Sequence, residues 1–281
     1  MTEDAGLPVA PDQIAKSDAQ GINGANDYTE AMRLLAQVDP ATIRRGLAGI
    51  DQVLSGKSDV RDRRDANVAL EACSPAIEEA VAGSVCDRCV FPILWDQPDP
   101  VPELGPMVTL GKLLAGRAAL ESDITDLLAA SYMARHLGSL PLLAAEGAQD
   151  ESINAVCDAA WEIGRHRPDQ SAALQGLLNV LPDADLADRI GGELIWARSR
   201  CHTDEEQIDV LQRSRELYGQ VVQARTWPEI EDVLAGVDDP RWRQTAEASR
   251  RAQERRSAAL DALKMLERPT GFQNNDGPIE M

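Results

Sequence analysis

Residues 107–137 read MVTLGKLLAGRAALESDITDLLAASYMARHL, and this stretch decides the fold. Its apolar residues recur at the three- and four-residue spacing of an amphipathic helix. A polar turn at 121–123 divides it, which predicts helices over 107–120 and 124–137, with Ser122 as an N-cap and Gly138 as a helix end. The predicted buried stripes contain Leu110, Leu113, Leu114, Leu127, Leu128, Met133 and Leu137.

The same spacing continues on both sides of this stretch, whereas runs of β-branched residues are scarce. The sequence therefore predicts an all-α fold of antiparallel helical hairpins, stacked as a degenerate TPR-like α-solenoid or as a bundle. About ten helices are expected in all. Besides the two above, they cover 28–36, 41–54, 64–85, 141–165, 170–180, 186–200, 204–223, 228–234 and 240–267.

Prolines punctuate the first of these helices. Asp39-Pro40 separates the helices at 28–36 and 41–54, so these two are expected to fold back on each other as a hairpin. Pro75 lies inside the pattern at 64–85 and predicts a break near Cys73.

The chain divides into one helical domain and two tails. Residues 1–26 and 269–281 are rich in Pro, Gly, Asn and charged residues and are expected to be flexible, leaving 27–268 as the helical-hairpin domain. Within it, 86–106 contains five prolines and no helical period. Five of its side chains are too apolar for solvent, so this segment is expected to be an ordered loop over the core, with a ligand-facing role as the alternative. They are Val90, Phe91, Ile93, Leu94 and Trp95.

Composition and net charge limit the classes of partner that the chain is expected to bind. Hydrophobic residues make up 43% and charged residues 27% of the 281 residues, which is the balance of a globular protein. The formal net charge of −19 repels phosphate, so nucleic acid is not an expected partner. No apolar run is long enough to cross a bilayer. As written, the chain looks cytoplasmic, and an export or anchor segment preceding Met1 would make it extracytoplasmic.

Charge is also unevenly distributed. Residues 241–268 hold eight bases and four acids, a net charge of +4, which leaves −23 elsewhere. This segment is expected to be a helix solvated through i,i+4 pairs such as Glu247 with Arg251. The alternative is that it docks on an acidic surface, of this chain or of a neighbour.

One motif resembles a known group. Cys89-Val-Phe-Pro-Ile-Leu-Trp-Asp96 precedes the stretch at 107–137, which ends in Ala-Arg-His-Leu and is followed by Gly138. This order resembles uncharacterised TPR-like helical-repeat proteins of planctomycete bacteria that carry a Cys-x-Phe-Pro-x-x-Trp-Asp loop. The resemblance covers Tyr28 to about Trp196. It implies a helical-repeat fold, and in many members an amino-terminal export or anchor segment, but no activity and no site residues.

Residues with reactive side chains do not form a familiar catalytic pattern. Cys86 and Cys89 make half of a zinc knuckle, a redox pair, or two ordinary thiols, and whether they are free, oxidised or metal-bound stays open. Gly56-Lys57-Ser58 lacks the earlier glycine of a phosphate-binding loop and predicts a turn after a helix. His136, His166 and His202 lie near predicted helix ends, where a cationic ring meets the negative end of the dipole.

These observations predict a non-catalytic protein-protein interaction or scaffold protein, with no catalytic, cofactor-binding or metal residues. The expected partner is another protein or a peptide, and the oligomeric state stays open. The alternative is a small-molecule binder or enzyme with its pocket under the 86–106 loop. Exposed tryptophans would be the expected hot spots of an interface. The candidates are Trp161, Trp196, Trp227 and Trp242.

Overall fold

Helix-forming residues dominate 22–267, the part of the chain that the computed structural model describes. It contains twelve α-helices and no β-strand, only a single bridge between Asn23 and Arg88, so the all-α class is confirmed for these residues. The predicted tails fall outside the described residues, except for 22–26. The helices are α1 (Ala25–Leu35), α2 (Pro40–Leu54), α3 (Val60–Ala72), α4 (Ser74–Ser84), α5 (Leu104–Glu121), α6 (Ile124–Leu137), α7 (Leu143–His166), α8 (Ser171–Asn179), α9 (Leu186–Ser199), α10 (Asp204–Gln223), α11 (Trp227–Ala235) and α12 (Pro240–Glu267), with a 3₁₀ turn at Pro168–Gln170 before α8.

Several predicted boundaries are confirmed. The break near Pro75 is present, because α3 ends at Ala72 and α4 begins at Ser74. Pro75 stands in the first turn of α4, where its missing N–H removes no helical bond. Gly56 has a positive φ of 70° directly after α2, so Gly56-Lys57-Ser58 is the predicted turn.

The turn between α5 and α6 differs from the prediction. Ser122 has a left-handed backbone, φ 57°, and ends α5. The N-cap of α6 is Asp123, whose carboxylate accepts the Thr125 N–H at 2.7 Å. Asp123 takes this role because its extended backbone places the acceptor above the first turn. Gly138 follows α6 as predicted.

The first predicted hairpin is wrong in its pairing. α1 packs against α4, and α2 packs against α3. The reason is close backbone approach: a Cβ at Gly46 would lie 2.0 Å from the Ala69 Cβ, and one at Gly49 would lie 2.4 Å from the Asp62 carbonyl oxygen. Only glycines on α2 allow α3 this near.

Two hydrophobic clusters form the interior. The larger joins α1 to α8 with the last part of α12. The smaller joins the start of α7 with α9, α10, α11 and the first part of α12. α7 and α12 contribute to both clusters and pack against each other, so they connect the two halves of the molecule.

The order of contacts is not purely sequential. In an α-solenoid each repeat contacts its neighbours in the chain. Here α12 packs against α7 and α8, and α1 packs against α4. A TPR-like arrangement therefore stays a prediction.

Within 22–267, no helix combines the length and the hydrophobicity needed to span a bilayer.

Candidate functional site

An open groove lies between α11 and α12. Its volume is about 640 Å³. The smaller hydrophobic cluster positions the two helices, because Leu234 of α11 and Trp242 and Ala246 of α12 are buried in it. The groove is lined by Trp227, Pro228, Glu231, Arg250, Gln253, Glu254 and Ser257.

Local capping fixes the α11 side of the groove. Thr226 and Glu229 form a capping box, in which the Glu229 carboxylate accepts the N–H groups of Arg225 at 2.6 Å and Thr226 at 3.2 Å. Pro228 stands in the first turn, where a proline is tolerated. Trp227 is therefore held at the first residue of a well-defined helix.

Hydrogen bonds connect the two walls. The Trp227 indole N–H donates to Gln253 Oε1 at 2.6 Å. Arg250 donates to Glu231 Oε1 of α11 at 2.7 Å and to Glu254 Oε1 of its own helix at 2.7 Å. Hydrogen bonding to Glu231, then to Glu254, raises the pKa of Arg250, so its guanidinium stays charged.

The groove carries a small negative charge. Glu231 and Glu254 stand against Arg250, which leaves a net charge of −1 on the lining residues. The three charged side chains are partly or largely exposed, so solvent screens them. The surface is preorganised by contacts within the chain and is accessible to a partner.

The basic segment on α12 serves mainly to dock that helix within the chain. Arg255 makes two hydrogen bonds of 2.7 Å to Asp158 of α7, and Arg256 bonds Asp183 before α9 at 2.9 Å. Arg251 donates to the backbone carbonyl of Glu247 at 3.2 Å. The alternative of docking on an acidic surface is therefore realised intramolecularly.

The loop between α4 and α5 packs on the molecule through its aromatic residues. Phe91 is buried, and its ring centroid lies 6.5 Å from that of Tyr28. Trp95 is partly buried against the larger cluster. The Trp196 indole N–H of α9 donates to the Gln97 carbonyl at 2.9 Å. The loop thus joins α1 and α9, and the groove described above lies elsewhere.

A buried hydrogen-bond chain lies under this loop. His136 Nε2 lies 3.2 Å from the Cys86 carbonyl, which only accepts, so Nε2 carries the hydrogen. Nδ1 then accepts from the Tyr28 hydroxyl at 2.8 Å. Burial lowers the pKa of His136 and raises that of Tyr28. Burial lowers the pKa of His136 although the hydrogen bond to the Cys86 carbonyl opposes this, so the ring is neutral at pH 7 instead of a cation at a helix end.

The cysteines are free thiols in this structure. Burial raises the pKa of Cys89 to about 12 and that of Cys157 to about 12, and burial also raises the pKa of Cys86. Thiols with raised pKa are poor nucleophiles. Within 22–267, no three or more His, Cys, Asp and Glu side chains come together in a group suited to a metal ion.

A second buried polar network holds α9 against α7. Arg189 donates to Glu146 at 2.8 Å and to the carbonyls of Gly138, at 2.8 Å, and Leu140. Burial raises the pKa of Glu146 and raises that of Asp150 to about 7. These groups are closed inside the packing and do not line the groove.

The remaining predicted residues do not form one site. His166 lies 3.0 Å from the buried carboxylate of Glu162, and His202 is exposed after α9. Of the four candidate tryptophans, Trp242 is buried and Trp161, Trp196 and Trp227 are partly buried. Only Trp227 lines the groove.

Sequence reasoning missed the α12 wall. Arg250, Gln253, Glu254 and Ser257 are spaced by three and four residues, the spacing of one helix face. That signal was present, but it does not show which face α11 leaves uncovered.

Comparison of the chain with protein-family models, with curated proteins and with solved structures finds no match.

Proposed function

We propose that the chain is a non-catalytic interaction protein that holds a segment of another protein in the groove between α11 and α12. The observation that carries this proposal is the groove itself, with a partly buried tryptophan fixed at its wall.

Trp227 has the properties of an interface anchor. Tryptophan is enriched among the residues that contribute most to binding free energy. Its orientation is set by the bond to Gln253 and by packing against the smaller hydrophobic cluster. A partner therefore meets an aromatic surface that is already ordered, which lowers the entropy cost of binding.

The lining favours a polypeptide over an apolar small molecule. Small-molecule pockets are mostly apolar and enclose most of their ligand. Trp227 and Pro228 are the apolar residues of this groove, whereas the other lining residues are polar or charged. An open groove of this composition suits a chain segment that keeps one side in water.

The titratable groups are placed for packing. Glu146, Asp150 and Glu193 have raised pKa values because they are buried between α7, α9 and α12. A general acid or base must reach its substrate. These carboxyls are closed off, which supports an interaction role.

Selection of random displayed peptides on the immobilised full chain tests the proposal. Selected peptides are then titrated by fluorescence anisotropy against Ser257→Tyr, which fills the groove without deleting a packed side chain. We expect affinity to fall about tenfold or more, equal to at least about 1.4 kcal/mol.

Ala258→Tyr is the matched control. Ala258 is the next residue, is exposed and does not line the groove, so this variant should bind as wild type does. Trp227→Ala should also lose binding, with thermal unfolding reporting its fold. Peptides that bind wild type and both tyrosine variants equally would contradict the proposal.

A further inference from the structure

The charges of the groove restrict its occupant. We infer that the bound segment is basic and presents an arginine side chain to Glu231 and Glu254. This inference rests on the proposed function and adds the chemistry of the partner.

The two carboxylates keep acceptors for a further donor. Arg250 contacts only the Oε1 atom of each, at 2.7 Å in both cases. Among the described residues, the two Oε2 atoms have no hydrogen-bond partner, and the Glu231 and Glu254 side chains are 30% and 61% exposed. A carboxylate accepts several hydrogen bonds, so a second cation can bind beside Arg250.

Arg250 also shows what this pair of carboxylates accommodates. It places one guanidinium between an acid of α11 and an acid of α12. A guanidinium is planar, donates through several N–H groups and stacks on aromatic rings. Trp227 and Pro228 supply an aromatic and an apolar surface beside the acids. Arginine uses both features, whereas lysine offers a compact charge without a planar face.

Charge complementarity argues against an acidic occupant. The lining has a net charge of −1 and the chain one of −19. An acidic segment would have to take Arg250 away from Glu231 and Glu254, and would be repelled by the rest of the molecule. A basic segment is attracted at long range and finds acceptors on arrival.

Arg250 therefore acts as an internal competitor of the partner. Its guanidinium occupies part of the acceptor capacity that the partner's arginine uses. Removing it should strengthen the binding of a basic peptide. If Arg250 had a purely structural role, its substitution would weaken binding of the basic peptide. The direction of the change in affinity therefore distinguishes the two roles.

A fluorescein-labelled peptide of repeating Arg, Gly and Ser is the probe. Its counterparts carry Lys or Glu at every Arg position, and each is titrated against the full chain by anisotropy. We expect the Arg peptide to bind best, the Lys peptide about threefold to tenfold more weakly, and the Glu peptide not measurably. Added salt should weaken the Arg complex.

Variants with matched charge changes locate the effect. Glu231→Gln should weaken the Arg complex about tenfold, whereas Arg250→Gln should strengthen it about threefold. Asp261→Asn is the control, since Asp261 is on the same helix, is paired with Lys264 and lies outside the groove. Thermal unfolding of each variant reports the fold.

The outcomes separate this inference from the proposed function. If the Glu peptide binds more strongly than the Arg peptide, or if Arg250→Gln loses binding, the inference of a basic partner is overturned. The groove would still be an interaction site if Ser257→Tyr weakened the binding of the peptide that does bind. Self-association that Ser257→Tyr abolishes would make a second copy the occupant and overturn the inference. If Ser257→Tyr changes the affinity of none of the peptides, both the basic partner and the proposed function are overturned.

Discussion

The hydroxyl of Ser249 on α12 donates a 2.6 Å hydrogen bond to the carboxyl of Asp150 on α7, and both side chains are buried. Burial has the largest effect on the pKa of Asp150 and raises it from 3.8 to about 7. The Ser249 hydroxyl and the Arg189 guanidinium lower this pKa, whereas the carboxylate of Glu146 raises it. The contact between α7 and α12 therefore includes a carboxyl that ionises near neutral pH.

Asp150→Asn should make the protein more stable at pH 8. The folded state binds the Asp150 proton more tightly than the unfolded state. The stabilisation that this proton contributes is therefore fully present below about pH 4 and is lost as the pH rises through about 7. The amide removes this loss, worth on the order of 2–4 kcal/mol at pH 8. Urea unfolding at pH 5 and pH 8 measures it, and a benefit that does not grow with pH would show that Asp150 is already ionised.

Arg189→Met should destabilise the fold strongly. It leaves Glu146 buried without its cation and frees the carbonyls of Gly138 and Leu140. Removing one partner of a buried ion pair costs about 3–5 kcal/mol. Replacing both partners, as in Arg189→Met with Glu146→Leu, should restore part of that loss. Urea unfolding of the two single variants and the double variant gives a double-mutant cycle. If the losses in unfolding free energy add up, Arg189 and Glu146 are not coupled.

Helix positions follow from sequence, but helix partners do not. The predicted bounds of α10 and α12 agree with the structure because their apolar spacing and their starts at Asp204 and Pro240 are local signals. The pairing of α2 with α3 depends on Gly46 fitting against Ala69, a contact between residues far apart in sequence. Periodicity does not specify such contacts.

The candidate site shows the same division. Trp227 was predictable as a hot spot from its residue type, but Trp161, Trp196 and Trp242 had equal standing. Burial excludes Trp242, and Trp227 differs from Trp161 and Trp196 only because it lines the groove. That position depends on how α11 lies on α12. The acids beside Arg250 were recognisable only once both helices had been placed.

Two glycines in helices should respond oppositely to alanine. A Cβ at Gly192 of α9 would lie 1.5 Å from the Pro141 carbonyl oxygen, so Gly192→Ala forces α9 away from the turn before α7 and should destabilise by about 1–3 kcal/mol. A Cβ at Gly219 of α10 meets nothing within 4 Å, so Gly219→Ala should stabilise by about 0.5–1 kcal/mol. Thermal unfolding compares them, and similar effects at both sites would refute the close approach at Gly192.

Tyr28→Phe should destabilise the protein by about 1–3 kcal/mol, because it leaves His136 Nδ1 buried without a donor. His136 also sets a pH dependence. Burial lowers its pKa from the ordinary 6.5, so the unfolded state binds a proton that the folded state does not, and stability falls as the pH drops below about 6.5.

Tyr28→Phe leaves Nδ1 of His136 as a free acceptor, and protonation of Nδ1 still creates a buried charge. The acid-side loss should therefore persist in Tyr28→Phe and disappear in His136→Gln. Ring resonances of His136 followed by NMR measure this directly, and a ring that titrates above pH 6.5 would contradict the neutral tautomer that joins Tyr28 to Cys86.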